Sequence, residues 1–194
     1  MIDFTLSTQV EETRLRIRDF VEKHIIPLES DPEAYDEHEN IAQEPLERLK
    51  ALAKSEGLWS LSLPLVDGGL GFNVVEITSC YEEMNRSIFG PVCFNASAPD
   101  DGNMRLLSQV ARPDQKEKWL KPIADGSIRS SFVMTEPSPG SGSDPSVMLT
   151  RAKKMDDKWI INGRKWFITG AAVAKHFILM ARTSDDARKG LTAF

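Results

Sequence analysis

Residues 158–170 read Lys158-Trp159-Ile160-Ile161-Asn162-Gly163-Arg164-Lys165-Trp166-Phe167-Ile168-Thr169-Gly170. Aromatic and β-branched side chains flank Asn162-Gly163 on both sides, and such side chains suit a pleated, half-buried surface. Asn-Gly tolerates the positive φ angles of a type I′ turn. The run therefore predicts a hairpin with strands over 158–161 and 164–169. Outward from it, 128–134, 149–154 and 176–182 read as further strands. Four or five strands ending at Phe194 leave open sheet edges, which compact proteins avoid, so the β part reads as cut short.

Upstream the period changes to that of helices. Thr8 with Glu11 reads as a capping box, and Val10, Ile17, Val21 and Ile25 follow at helical spacing up to Pro27. Residues 29–40 are polar and read as a loop with room for a short helical turn. Pro45 suits the first position of a helix carrying Leu46, Leu49, Leu52 and Ala53, which Gly57 closes. Asn73 with Glu76 resembles another capping arrangement, ahead of Val74, Ile77, Tyr81, Met84 and Ile88. A helix is expected over much of 91–110, and a short one over 113–121 that Pro122 stops. The expected boundary divides a helical domain, 1–126, from a β domain, 127–194.

Composition removes several classes of function. Of 194 residues, 41% are hydrophobic and 27% charged, the balance of a soluble globular protein with a real core. Lys and Arg number 24 against 29 Asp and Glu, and that dispersed, net acidic charge argues against nucleic acid as partner. No apolar run approaches the roughly 20 residues of a membrane span. The first 14 residues carry neither a basic start with an apolar stretch nor an Arg-rich presequence. They fit a bacterial-type cytoplasmic protein, with mitochondrial or peroxisomal placement left open. Cys80 and Cys93 make neither a disulfide framework nor a zinc site by themselves, and they fit small buried hydrophobes. His24, His38 and His176 have no ligand spacing, so no metal is expected.

Two stretches are rich in glycine. Gly68-Gly69-Leu70-Gly71 matches neither a phosphate loop nor a dinucleotide fingerprint, and reads as a turn between helices. The second begins in Phe132-Val133-Met134-Thr135 and continues through Glu136-Pro137-Ser138-Pro139-Gly140-Ser141-Gly142-Ser143-Asp144. A strand feeding small side chains and free backbone N–H groups lets a planar or anionic ligand approach the main chain. A plain connection between strands explains the same residues equally well.

Met134-Thr135-Glu136-Pro137, the loop to Ser143-Asp144, and residues 161–170 together resemble the acyl-CoA dehydrogenase family. The likeness extends back through 63–72, 81–87, 94–104 and 113–132, so it covers nearly the whole chain. It implies an α+β fold, here an all-helical N-terminal domain followed by an incomplete antiparallel β-barrel domain. Members bind FAD and oxidise an acyl-CoA to the 2,3-enoyl-CoA, as in fatty-acid oxidation. A carboxylate takes the α-proton while the β-hydrogen leaves as hydride to the flavin. Full-length relatives assemble as homodimers or homotetramers and pass electrons to electron-transfer flavoprotein or another acceptor.

Carried over by position, Phe132, Val133, Met134 and Thr135 match the strand that lies along the flavin ring, with Thr135 bonding it. Ser143 matches a serine that contacts cofactor and acyl-CoA substrate together. Phe167, Ile168 and Thr169 match the run beside the flavin, where Thr169 places its hydroxyl near N5. Phe132 and Ile168 also suit plain core positions. Residues 138–141 make the loop two residues longer than is common, and Arg112 stands where a small helix cap is usual. No carboxylate here matches the family's base, which belongs to a C-terminal domain, so no catalytic residue is assigned and Glu136 is not taken for it. The expectation is a fragment of such an enzyme, weak in FAD binding and without turnover. An acyl-CoA oxidase or flavin monooxygenase of the same superfamily, or a non-catalytic helical interaction module, are the alternatives.

Overall fold

The computed structural model describes residues 4–140, 142–186 and 189–194. Ser141, at the centre of the long loop, and the first three residues of the N-terminal stretch lie outside the described residues. The chain divides into two compact units, Met1–Ala124 and Asp125–Phe194.

The first unit is helical. Helix α1 spans Thr8–Phe20, and its cap is Ser7 rather than Thr8: extended Ser7 accepts the Val10 amide at 3.3 Å. Beyond it the chain coils on through a wider turn over Val21–Ile25 and a tighter one over Ile26–Ser30. Helix α2, Gln43–Ser55, buries Leu46, Leu49 and Ala53. Helix α3, Val74–Met84, carries the complete capping box that Asn73 and Glu76 predict. The helix expected over 91–110 is two: α4, Gly90–Cys93, and α5, Asp100–Val110. Asn95 breaks the run in the left-handed region, φ 57°, and its side-chain amide donates to Ile123 O at 3.0 Å. Pro122 does not end the last helical run, which passes from α6, Pro113–Gln115, through a wide turn at Lys116–Leu120 into α7, Lys121–Ala124. In that wide turn Lys121 N–H reaches back to Lys116 O, a bond the following proline leaves intact. Trp59 Nε1 then donates to Ala124 O at 2.7 Å and fastens the end of the run.

The apolar positions that set the helical period converge. Val10, Ile17, Phe20, Val21, Ile25, Leu49, Ile77, Met84 and Phe94 belong to one core, where the Phe20 and Phe94 rings pack at 5.0 Å. Val74 and Ile88, from the same expected stripe on α3, are instead exposed. Both cysteines are fully buried, and burial pushes their thiols up, to about 11 for Cys80 and about 12 for Cys93. Gly68 and Gly71 have positive φ and form the turn between helices that their spacing predicts.

A buried carboxylate crosses α1 and α3. Glu83 accepts two hydrogen bonds from Arg18, at 2.6 and 2.9 Å, and one from Arg14. Those guanidinium bonds, Arg18 foremost, hold its carboxyl below the ordinary range against the opposing pull of burial.

The described residues of the second unit form five strands: β1, Arg129–Val133; β2, Arg151–Met155; β3, Lys158–Asn162; β4, Ala174–Arg182; β5, Leu191–Ala193. The sheet is mixed and open, in the order β1-β4-β2-β3 with β5 also on β4. The α+β class holds, but the sheet is not the antiparallel one expected. β1 pairs with β4 in parallel, Phe132 opposite Ile178 and Val133 opposite Leu179. The cause is the long connection between them: β3 ends beside Arg151 near the far end of β4, and residues 165–169 then carry the chain back along β1 to the end from which it started.

The hairpin is real but displaced. β3 pairs with β2, Ala152 opposite Ile161 and Lys154 opposite Trp159, across Asp156-Asp157 with Asp156 at φ 53°. Residues 164–169 form no strand. Gly163 is required for closeness and not for a turn: a Cβ there would lie 2.1 Å from Thr150 Oγ1.

Replacing Glu83 with Gln removes the charge that Arg18 and Arg14 share, leaving Arg14 with Glu11 alone. It is expected to destabilise the helical unit by about 2 kcal/mol, read from the urea midpoint by circular dichroism.

Candidate functional site

Strand β1 ends in Val133, and the chain continues extended through Met134 and Thr135 to Glu136. Glu136 turns the loop back on itself: its N–H donates to Gly142 O at 3.1 Å, so Ser143 follows directly on the residue paired with Glu136. Gly140 sits inside that loop, where a Cβ would lie 2.7 Å from the Glu136 side chain.

Residues 165–169 run antiparallel to β1 and its extension. Lys165 Nζ donates to Met134 O at 2.7 Å, Trp166 N to Thr135 O at 3.1 Å, and Ser131 Oγ to Thr169 O at 2.9 Å. Between these ties Phe167 adopts φ 49°, the left-handed region that a bulky side chain avoids. Its ring is 81% exposed and leans on Trp166, 4.5 Å between centroids. A strained, exposed aromatic is unfavourable on two counts.

The eight residues singled out in the sequence thus fall in one region of the second unit. Phe132, Val133, Met134 and Thr135 form one rail, Phe167, Ile168 and Thr169 the other, and Ser143 follows the Glu136–Gly142 bridge. Their exposure differs. Val133 is buried and contributes backbone; Phe132, Met134, Thr135 and Ile168 are half-buried; Ser143, Phe167 and Thr169 are exposed. Among the described residues the hydroxyls of Thr135, Ser143 and Thr169 have no hydrogen-bond partner in the chain. Apolar rings and edges beside free hydroxyls and backbone fit a planar, largely apolar ligand with a polar rim. The isoalloxazine of FAD is such a group.

Glu136 and Lys165 lie behind this surface and were not in the sequence-derived set. Glu136 is 2% exposed and accepts Leu149 N at 2.7 Å, Thr150 N at 2.8 Å and Lys165 Nζ at 3.1 Å. Burial alone raises a carboxyl's pKa. Here the hydrogen bonds from Thr150, the Leu149 amide and Lys165 outweigh it and hold Glu136 at about 2. A carboxylate bound so firmly to its proton-free form, and facing inward, is a poor proton acceptor. Arg182, also buried, donates to the carbonyls of Met148, Ser146 and Asp186, fixing the stretch that follows Ser143 to the end of β4. The sequence signal for these residues is faint, since Lys165 and Glu136 are 29 positions apart.

Two outcomes follow from this geometry. Glu136 has a depressed pKa, so its contribution to stability is complete above the ordinary carboxyl value of 4.5 and is lost as pH falls through about 2. Hydrogen exchange at the Leu149 and Thr150 amides is expected to accelerate over that window, beyond the intrinsic dependence on pH, and Glu136→Gln is expected to flatten the response. Gly163→Ala is expected to cost about 1–3 kcal/mol by overpacking against Thr150, measured as a lowered denaturation midpoint of the β unit.

Comparison with known proteins places the geometry in a lineage. The family model for the acyl-CoA dehydrogenase N-terminal domain matches residues 7–127, and that for the acyl-CoA dehydrogenase middle domain matches 131–194. Acyl-CoA dehydrogenase family member 11 of Homo sapiens is 36% identical over 190 residues, covering 94% of this chain and 24% of the human protein. FadE2 of Mycobacterium tuberculosis is 35% identical over 198 residues, 96% of this chain and 46% of its own length. Butyryl-CoA dehydrogenase of Megasphaera elsdenii superposes with TM-score 0.73 at 30% identity, covering all of this chain and 49% of that one. The chain therefore spans between a quarter and a half of the length of these relatives. With both family models matched in order over nearly every residue, the chain belongs to the acyl-CoA dehydrogenase family.

Proposed function

We propose that these residues form the helical and flavin-facing parts of an FAD-dependent acyl-CoA dehydrogenase that converts an acyl-CoA to its 2,3-enoyl-CoA. The observation that carries the proposal is the pair of rails at 132–135 and 167–169, with the strained, exposed Phe167 between fixed ends. Phe132, Met134, Phe167 and Ile168 would receive the apolar ring, and Val133 would contribute backbone alone. Thr135 and Thr169 would bond its polar edge through free hydroxyls, and Ser143 would touch both cofactor and thioester substrate. When bound, FAD supplies the redox chemistry by accepting hydride at N5.

The chain's own residues bind, orient and exclude water. None is assigned the proton transfer, and the inward, firmly ionised Glu136 is unsuited to it. The reaction as a whole is proposed for a protein that supplies a carboxylate base from a further domain. Such a protein would work as a homo-oligomer and pass electrons to electron-transfer flavoprotein or a comparable acceptor.

Titration of FAD into the purified chain, followed by flavin fluorescence and the visible band, is expected to give weak but saturable binding. Phe167→Asp is expected to weaken it roughly tenfold, because the exposed ring is the apolar contact. Acyl-CoAs are expected to leave the band unbleached under anaerobic conditions. Bleaching by the chain alone would place the base among these residues. No FAD binding, even with the C-terminal portion of a relative supplied, would remove the flavin proposal.

A further inference from the structure

Residues 165–169 owe little of their position to regular secondary structure. Their backbone meets β1 and its extension at the two ends, through Trp166 N and Thr169 O, and leaves strand geometry at Phe167 between them. A strand normally keeps its register through a continuous ladder and a buried face. Here Phe167 and Thr169 are exposed and Ile168 is half-buried. Something else must choose the register.

The Lys165–Glu136 pair has the attributes required. The side chains are 8% and 2% exposed, and 3.1 Å separates Nζ from Oε1. Nζ also reaches Met134 O at 2.7 Å, so the ammonium is fixed by two acceptors. The same carboxylate collects the Leu149 and Thr150 amides, and the Glu136 N–H holds Gly142. One ion pair thus joins three separate stretches: 134–136, the far end of the loop at 149–150, and 165–169. Each candidate ligand residue beyond β1 is close in sequence to this knot. Thr135 precedes Glu136, Ser143 follows Gly142, and Phe167 stands two residues past Lys165.

A buried ion pair contributes little net stability over an apolar pair of equal volume, because desolvation offsets its attraction. Its value is selectivity. Slipping 165–169 by one residue would remove Lys165 from the carboxylate, leave a buried charge alone and turn Phe167 inward.

We propose that Lys165 and Glu136 are positioning residues for the flavin-facing surface: their ion pair sets the register of 165–169 against 132–135 and anchors the return of the Ser143 loop. The proposal rests on the flavin reading for what the surface binds, and on hydrogen bonding alone for how the surface is held. Neither side chain touches the ligand, and both act through Thr135, Ser143 and 167–169.

The test compares the chain with Lys165→Met, Glu136→Gln and the double variant, reading amide exchange and FAD titration in parallel. Lys165→Met is expected to raise exchange at Trp166 roughly tenfold, the loss of one charge-assisted tie. The Leu179 amide, which donates to Phe194 O on the β5 side of the sheet, should keep its rate. FAD affinity should fall by a similar factor. The double variant carries no lone buried charge, so its unfolding midpoint should stay near that of the parent. It should nevertheless fail to recover either the exchange rate or the affinity, which a merely stabilising pair would restore. Unchanged exchange at Trp166 in both Lys165→Met and the double variant overturns the proposal. If the parent binds FAD and the variants bind it equally well, the positioning role falls and the flavin reading stands. If the parent binds no FAD while exchange rises as stated, the register role stands and the flavin reading falls.

Discussion

A carboxylate buried away from water must be surrounded by donors, and the β unit is organised around satisfying one. Glu136 is 2% exposed and takes hydrogen bonds from two backbone amides and an ammonium. The amides belong to one stretch, 149–150, and the ammonium to another, so satisfying the charge draws both against Glu136. The loop after β1 closes, the start of β2 is brought alongside, and residues 165–169 are drawn against the end of β1. Gly140 and Gly163 follow from the same crowding, since a Cβ at the first would strike Glu136 and at the second Thr150. The helical unit uses the same device at Glu83, which ties α1 to α3 through Arg14 and Arg18.

How much of this the sequence disclosed depends on how far apart the interacting residues lie. The Asn73–Glu76 box is settled within four residues and was fully legible. The core period of α1 and α2 was legible for the same reason. Asn162-Gly163 carries an equally local turn signal, yet that signal misleads: Gly163 is small because Thr150 occupies the space, a contact between residues 13 apart. The true hairpin turns at Asp156-Asp157, where Asp accepts a left-handed conformation with much weaker bias than Gly. Residues 164–169 have β-forming side chains and still make no strand, because the ties at Lys165, Trp166 and Thr169 allow Phe167 to twist out. The parallel pairing of β1 with β4 was invisible for a related reason: strand direction is decided by the whole path between them.

The candidate site divides along the same line. Thr135, Ser143 and Phe167–Thr169 lie within recognisable runs, so resemblance located them, and their placement in one region of the β unit is the geometry on which the flavin proposal rests. The residues that hold those runs in place have no run of their own. Lys165 sits in a basic, aromatic stretch and reads as one more solvated charge, while Glu136 reads as a carboxylate beside a loop. Only their approach to 3.1 Å, with both side chains out of solvent, separates them from ordinary surface charges.

Phe167 explains why the proposed binding surface would need such support. A non-glycine residue at φ 49° costs on the order of 1–3 kcal/mol, and leaving the ring 81% exposed forgoes what burial would return. Left to itself the segment would relax, turning the ring inward or extending into a strand. Either change would replace a shaped surface by a flat one. The fixed points on both sides prevent it: Lys165 and Trp166 before Phe167, the Thr169 carbonyl after it. A ligand that covers the ring recovers apolar burial without having to order the chain first, so its binding energy is not spent on organising the site. On that argument the strain at Phe167 and the ion pair behind it are one device, the first creating the surface and the second keeping it in place.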